Sequence, residues 1–465
     1  MLTRLVFKGA TEAILKTMPL RVPQIISRPI TTTPSLAFRV GGFGVRAKVS
    51  EKHVHANPQN TTSANKTAYI SYGILTATFA TIGWYVYWER QRHKIENPPE
   101  TSEEITTVLR KNETSQPIDN TKWRLETNQI GFNNPCEDVC TAKIYHTNGG
   151  NNRFYVGLYD GHAGWQCSQR LGSDLISLVD SGVDKISKNI LPTPDGPQEV
   201  IGAIERAFVT FDREISIEAV KRAVGKKPAD KQCFSDLLTA LSGSCAILAY
   251  VDVDNKDLYI ACSGDSRAVL GRRQEGGKWT TLPLSFDMNG SELREVERLQ
   301  AEHPGEEIIF KGRVFGGLMP TRAFGDARYK WDLDLQSKVN DAFPAIAREP
   351  PGGPLYKTPP YVTARPDVKY IKITPDDKFL VIATDGLWDR MSSEDAVALV
   401  AGLIDESSRK EDKQTVYVDQ HTGTHLIRNA LGGSDEHSLK TLLTVPPPLS
   451  RRYRDDITIA VVIFD

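Results

Sequence analysis

Three aspartates, each beside an apolar run, are the residues of this chain whose type and spacing could do chemistry. Asp160 follows FYVGLY, Asp385 follows FLVIAT, and Asp455 stands two residues before ITIAVVIF. Such runs are typical of buried strands, so the three carboxylates are expected at strand ends in apolar surroundings. Acidic groups clustered there have a high desolvation cost unless a positive charge lies among them. A bound cation is the simplest source of that charge.

Carboxylates without a neighbouring histidine or cysteine cluster favour a hard cation such as Mg2+ or Mn2+ over zinc. Two such cations sharing Asp160, with the Gly161 carbonyl as a further ligand, would lower the pKa of a water between them and direct it at a phosphorus atom. His162 is assigned as general acid, because its ordinary pKa of about 6.5 suits protonation of a leaving alkoxide. The three aspartates together predict metal-assisted hydrolysis or phosphoryl transfer.

Further acidic residues extend this predicted cluster. Glu137 and Asp138 are consecutive, and Asp265 stands in CSGDSRAVLG. Arg322 and Asp326 belong to TRAFGD, and we interpret them as an internal ion pair that holds the motif loop, in preference to a phosphate contact and a metal ligand.

Composition supports neither a nucleic-acid partner nor a cysteine zinc site. The 465 residues carry a net charge of -1, which gives no electrostatic reason to expect nucleic acid as a partner. The six cysteines do not have the paired spacing of a zinc site.

The first 121 residues differ in composition from the rest. Residues 1–50 are basic and rich in Ser and Thr, which predicts a mitochondrial targeting presequence. Residues 68–88 are uncharged and long enough to cross a hydrocarbon core of roughly 30 Å, which predicts a transmembrane helix in preference to a buried core helix. Residues 89–121 are interpreted as a linker, and 122–465 as the folded domain.

Strand and helix signals within that domain occur in runs rather than in strict alternation. Strands are predicted at 153–159, 244–251, 258–262, 379–383 and 457–464, and helices at 166–178, 198–219, 291–302 and 394–404. This order favours an α+β fold over a doubly wound sheet.

The ordered motifs ED, YDGHAG, SGDSRAVLG, TRAFGD, ATDGLWD and RDDIT resemble those of the metal-dependent type 2C (PPM) protein serine/threonine phosphatases, over essentially all of residues 123–465. Three further segments are similar to those of the family branch that acts on mitochondrial pyruvate dehydrogenase: NQIGFNNPCED, PPYVTARPDV and HLIRNALGG. The resemblance implies a four-layer sandwich of two antiparallel sheets flanked by helices, with metals in a cleft at one end.

The resemblance also implies roles for individual residues. Asp160 would bridge two Mg2+ or Mn2+ ions, Gly161 would offer its carbonyl, and Asp385 and Asp455 would each hold a metal. The other implied ligands are Glu137 and Asp138 at the same centre, with Asp265 joining Asp385 at a weaker third site. Many family members carry a phosphate-binding arginine shortly before the ED pair; here Asn128 stands near that place, which implies weaker binding of the phosphate.

These patterns predict a membrane-anchored mitochondrial phosphatase that hydrolyses phosphoserine and phosphothreonine, with the phosphorylated pyruvate dehydrogenase complex as substrate. Two alternatives remain open at this point. One is a phosphatase facing the intermembrane space with other substrates, because lysines and arginines flank residues 68–88 on both sides. The other is a catalytically weak scaffold that binds phosphoproteins.

Overall fold

The computed structural model describes residues 39–40, 43–44, 99, 101–146, 152–187, 196–225, 231–405, 407, 409, 415–416, 419–447 and 449–464. The chain divides into two units, residues 1–79 and 80–465. In the first unit, strands β1 (Arg39–Val40) and β2 (Phe43–Gly44) pair antiparallel. The predicted presequence otherwise lies outside the described residues, as does the predicted transmembrane segment 68–88.

The second unit contains the remaining strands and helices. Its strands are β3 Thr114–Pro117, β4 Arg124–Ile130, β5 Val139–Tyr145, β6 Arg153–His162, β7 Gly243–Asp252, β8 Asp257–Ser263, β9 Arg267–Arg273, β10 Trp279–Pro283, β11 Ile309–Phe310, β12 Arg313–Val314, β13 Phe324–Gly325, β14 Asp367–Lys372, β15 Asp377–Ala383 and β16 Ile457–Ile463. Its α-helices are α1 Ser102–Arg110, α2 Gln166–Ser187, α3 Gly196–Arg213, α4 Ala219–Val224, α5 Lys231–Leu241, α6 Leu293–Glu302, α7 Leu333–Ala342, α8 Asp385–Trp388, α9 Ser393–Ile404, α10 Thr422–Leu431 and α11 Glu436–Thr444.

Two antiparallel sheets form the centre of this unit. One has the strand order β10-β9-β15-β16-β4-β3, and the other has the order β14-β8-β7-β6-β5 with β13 paired to β7. Consecutive residues of a strand face opposite sides of a sheet, and β6 shows the consequence. Phe154, Val156 and Leu158 pack in the cluster between the two sheets, whereas Tyr155 and Tyr159 pack on the other face.

Helices cover the two outer faces. Residues of α2 and α3 pack with the outer face of the β6 sheet in one apolar cluster. Residues of α1, α9 and α10 pack with the outer face of the β15 and β16 sheet in another. The predicted α+β sandwich of two antiparallel sheets flanked by helices is therefore present.

One part of the predicted fold class is wrong. Within the part of the chain that the structure describes, no helix combines the length and the apolar character needed to cross a bilayer. The 22-residue helix α2 is long enough, but Arg170, Asp174 and Lys185 make it amphipathic. The predicted single transmembrane helix is therefore not part of the fold that the described residues form.

The structure also differs from the predicted linker at 89–121. Helix α1 begins with a capping box between Thr101 and Glu104. Its Ile105 and Leu109 are buried in the cluster beneath the β15 and β16 sheet, and β3 pairs with β4. Helix α1 and strand β3 therefore belong to the sandwich, because α1 covers apolar surface and β3 extends one sheet.

The strands place the predicted acidic residues at one end of the sandwich. Asp160 lies near the end of β6, Asp265 follows β8, and Asp385 stands two residues after the end of β15. Asp138 directly precedes β5, which pairs with β6, and Asp455 precedes β16, which pairs with β15. Because neighbouring antiparallel strands begin and end at the same sheet edge, these side chains converge.

Candidate metal centre and catalytic site

Three carboxylates form the centre of the site. Asp160, Asp265 and Asp385 each bring one oxygen to within 4.8 Å of the others. Burial raises the pKa of Asp160 well above its ordinary value, and the charges of Asp385, Asp138 and others raise it further. Burial likewise raises the pKa of Asp385, followed by the charges of Asp265 and Asp455. Like charges held together in a desolvated place need a cation if all are to ionise.

Asp138 is held beside this centre by two hydroxyl groups. Thr384 Oγ1 donates to Asp138 Oδ2 over 3.0 Å, and Thr458 Oγ1 donates to the same oxygen over 2.7 Å. Burial and the nearby charge of Asp456 raise the pKa of Asp138 to about 8, although the two hydroxyls act in the opposite direction. Asp138 is thus an oriented acidic group within the cluster.

Glu137 and Asp455 form the outer edge of the cluster. The side chain of Glu137 is 14% exposed and that of Asp455 is 37% exposed. Asn133 Nδ2 donates to Asp455 Oδ1 over 3.1 Å. Arg451 forms an ion pair of 2.7 Å with Glu137 and lies 3.9 Å from Asp455. Arg451 therefore places a positive charge at the outer edge of the cluster.

Asp456, the second aspartate of RDDIT, has a structural role. It is 3% exposed, and its carboxylate accepts hydrogen bonds from the backbone N–H groups of Phe132, Asn133 and Glu137. These bonds fix the loop that carries Glu137, whereas the side chain of the neighbouring Asp455 stays 37% exposed at the edge of the cluster.

Gly161 brings the backbone of β6 close to that loop. A Cβ at this position would lie 2.3 Å from the carbonyl oxygen of Glu137 and 2.7 Å from Ser168 Oγ. Only glycine allows this approach, which places the Gly161 backbone, Asp160 and Glu137 side by side.

His162 lies at the same end of β6 and has a carboxylate partner. Its Nε2 is 2.6 Å from Asp326 Oδ2, and its side chain is 18% exposed. Burial opposes the charged imidazole, but the charge and hydrogen bond of Asp326 outweigh it and raise the pKa of His162 above its ordinary 6.5. The charges of Asp265 and Glu137 act in the same direction, so His162 lies within electrostatic range of the cluster.

The donors of the cluster fit a hard divalent cation. They are carboxylate oxygens, with the desolvation and mutual repulsion described above, and neither a thiol nor an imidazole belongs to the group of three. Mg2+ and Mn2+ prefer such oxygen ligands.

Most of the chain matches a known family. Residues 126–422 match the family model described as protein phosphatase 2C. The chain is 38% identical over 389 residues to a protein phosphatase 2C homologue of Schizosaccharomyces pombe, which covers 79% of this chain and 86% of that protein. The chain belongs to the protein phosphatase 2C family.

Other relatives lie within the same family. Human mitochondrial [pyruvate dehydrogenase [acetyl-transferring]]-phosphatase 1 is 32% identical over 485 residues, which cover 82% of this chain and 87% of that protein. The Saccharomyces cerevisiae protein of that name is 32% identical over 399 residues, which cover 74% and 68%. The solved phosphatase 2C of Toxoplasma gondii is 18% identical and covers 76% of this chain and 98% of that one, with a TM-score of 0.49.

Membership of the protein phosphatase 2C family confirms the predicted enzyme class, a protein serine/threonine phosphatase. The acidic residues that the sequence places at strand ends form one cluster in the structure. Asp160, Asp265 and Asp385 lie together, and Asp138, Glu137 and Asp455 surround them.

The structure does not support Asn128 as a phosphate contact in this phosphatase. Asn128 is 1% exposed, and its Nδ2 donates to the carbonyl of Leu109 and to Thr424 Oγ1, each over 2.8 Å. The amide therefore faces the helical layer rather than the cleft.

The predicted ion pair within TRAFGD is also corrected. Arg322 pairs with Glu295 over 2.6 Å, whereas Asp326 pairs with His162. Arg322 does the structural work expected of it, but with a partner from helix α6. Sequence reasoning missed the role of Asp326 at the site of this phosphatase. The contact joins two residues that lie 164 positions apart in the chain.

Proposed function

We propose that this protein phosphatase 2C hydrolyses phosphoserine and phosphothreonine at the carboxylate cluster with Mg2+ or Mn2+ bound there. The observation that supports this most directly is the convergence of Asp160, Asp265 and Asp385, of which Asp265 is buried and the other two are partly buried, within 4.8 Å. Bound divalent cations would stabilise charge on the phosphoryl oxygens and lower the pKa of the attacking water.

The roles of the individual ligands follow from their places. Asp160, at the centre, is proposed to be shared by two cations, with the Gly161 carbonyl beside it. Asp385 and Asp455 are proposed to hold one cation each. Asp138 and Glu137 border the same centre, and Asp265 with Asp385 is proposed to form a weaker third site.

His162 is proposed to protonate the leaving oxygen of the serine or threonine. Its Nε2 faces Asp326, so in the imidazolium form Nε2–H donates to Asp326 and Nδ1–H is the proton that can be transferred. The carboxylate favours the charged form that a general acid needs.

Phosphate release from a phosphoserine peptide tests this proposal. The full chain is assayed with Mg2+, with Mn2+ and with a chelator, beside Asp160→Asn and a control, Asp334→Asn. Asp334 is 73% exposed on helix α7 and pairs with Lys338, so its substitution changes charge without touching the cluster. Metal-dependent release that is lost only in Asp160→Asn supports the proposal. Release that persists with chelator, or in Asp160→Asn, contradicts it.

The proposed substrate is the phosphorylated pyruvate dehydrogenase complex, and the proposed location is the mitochondrion. The support is the similarity to human and yeast proteins named as mitochondrial pyruvate dehydrogenase phosphatases, which extends over most of each chain. The test compares kcat/KM on the phosphorylated pyruvate dehydrogenase component with kcat/KM on a peptide from the same phosphorylation site. A clear preference for the intact component is expected, and equal values would count against this substrate.

A further inference from the structure

The substrate phosphate needs a positive partner that Asn128 does not supply. Six carboxylates border the proposed metal centre, and while the weaker third site is empty their charge outweighs that of the two bound divalent cations. A phosphate dianion entering this cleft is therefore repelled unless another cation lies at its edge. A side chain of this chain has to provide that charge.

Arg451 is the one lysine or arginine that forms an ion pair with a proposed metal ligand among the residues the structure describes. Its guanidinium contacts Glu137 over 2.7 Å through Nη1 and lies 3.9 Å from Asp455 through Nη2. The side chain is 45% exposed, so it lies at the solvent-facing edge of the carboxylate cluster rather than within the core.

The backbone that carries Arg451 is fixed on both sides. Arg451 belongs to the short 3-10 turn Ser450–Arg452. Ser450 is fully buried, and its hydroxyl donates to the carbonyl of Phe132. The guanidinium of Arg454 lies 3.8 Å from the centre of the Phe132 ring. These anchors hold the turn against the loop that carries Glu137.

The guanidinium has donors to spare. It carries five N–H groups in a planar fork that matches the oxygens of a phosphate, and the two carboxylate contacts do not use all five. When cations offset the charges of Glu137 and Asp455, the positive charge of Arg451 is no longer neutralised locally.

We propose that Arg451 binds the phosphate group of the substrate at the edge of the carboxylate cluster. This inference rests on the proposed function and assigns a binding residue for it. The cation comes from the segment before the last strand, PLSRRYRDD, rather than from strand β4, where Asn128 faces the other way.

The test compares Arg451→Met, Arg451→Lys and Arg452→Met in the full chain. Arg452 is the exposed neighbouring arginine, so its substitution removes the same charge from the same turn. Three quantities are measured: KM and kcat on a phosphoserine peptide with Mn2+, calorimetric binding of inorganic phosphate to the Mn2+-loaded protein, and calorimetric binding of Mn2+ to the metal-free protein.

Arg451→Met is expected to raise KM and the Kd of inorganic phosphate by about tenfold, the loss of one partly exposed charge-assisted contact. Arg451→Lys is expected to be intermediate and Arg452→Met to match wild type. Mn2+ binding is expected not to weaken in any of the three, because Arg451→Met removes a positive charge that competes for Glu137 and Asp455. An unchanged phosphate Kd in Arg451→Met overturns the inference. So does weaker Mn2+ binding with an unchanged phosphate Kd, since Arg451 would then only position Glu137. Absence of metal-dependent release by the wild type would instead count against the proposed function itself.

Discussion

His162 Nε2 lies 2.6 Å from Asp326 Oδ2 and joins the strand that carries Asp160 to the loop after β13. Asp326 has a left-handed backbone, with φ of 46°, and its N–H donates to the carbonyl of Ser242. Gly243 packs closely against both side chains, because a Cβ there would be 2.0 Å from His162 Nε2 and 2.3 Å from Asp326 Oδ2. The backbone thus fixes the direction of the imidazole.

Asp326→Asn is expected to lower kcat on a phosphoserine peptide by about 10- to 100-fold, with KM unchanged, because the general acid loses its charged partner. The loss is expected to be small on p-nitrophenyl phosphate, whose leaving group needs no proton. Steady-state kinetics on both substrates check this. Equal losses on the two substrates would mean that Asp326 supports the fold rather than the acid.

Leu109→Ala is expected to lower the free energy of unfolding by about 2–5 kcal/mol, because a fully buried leucine of helix α1 leaves a cavity. Val108→Ala is the matched control, since Val108 is 39% exposed on the same helix. Urea denaturation of both variants measures the difference. Equal midpoints would support the linker that the sequence predicts at 89–121.

Asn128→Ala is expected to lower stability by about 1–3 kcal/mol, because the Leu109 carbonyl and Thr424 hydroxyl lose a buried donor. KM for the phosphopeptide is expected to stay at the wild-type value. Thermal unfolding and steady-state kinetics give the two numbers. A raised KM at unchanged stability would restore Asn128 as a phosphate contact.

Glu295 is expected to make stability depend on pH in the acid range. Burial alone would raise the pKa of Glu295, but hydrogen bonds from Arg322 and Arg298 outweigh it and lower this pKa to about 2, from an ordinary 4.5. The folded state therefore favours the carboxylate. Its contribution is complete above pH 4.5 and is lost as the pH falls from 4.5 towards 2.

Urea denaturation of wild type and Glu295→Gln between pH 7 and pH 3 checks this. The difference in unfolding free energy is expected to be about 2–4 kcal/mol at pH 7 and to shrink towards pH 3. Glu302→Gln is the control, since Glu302 is 52% exposed and shares Arg298. A difference that does not vary with pH would contradict the assignment.

The sequence predicts the parts of the site that local pattern determines. Asp160, Asp385 and Asp455 are recognisable because apolar strand runs stand beside them, and the end of a strand fixes where its next residue lies. Helix α9 is similarly local: Ser392 is its N-cap, and Ser392 Oγ accepts from the N–H of Asp395.

Local sequence pattern does not predict the contacts between distant segments of the chain. Helix α1 buries only Ile105 and Leu109 of its nine residues, too few to give an apolar period in a polar stretch. The face that Asn128 presents depends on the pairing of β4 with β16, and a shift by one residue would reverse it. The partner of Arg322 lies 27 residues earlier, in helix α6.

Calorimetric titration of Mn2+ into the metal-free protein measures directly whether Asp160 holds the metal centre, with wild type, Asp160→Asn and Asp334→Asn compared at one pH. We expect tight binding to wild type and Asp334→Asn, and loss of that binding in Asp160→Asn. Equal number and affinity of Mn2+ ions in Asp160→Asn would contradict a metal centre built on Asp160.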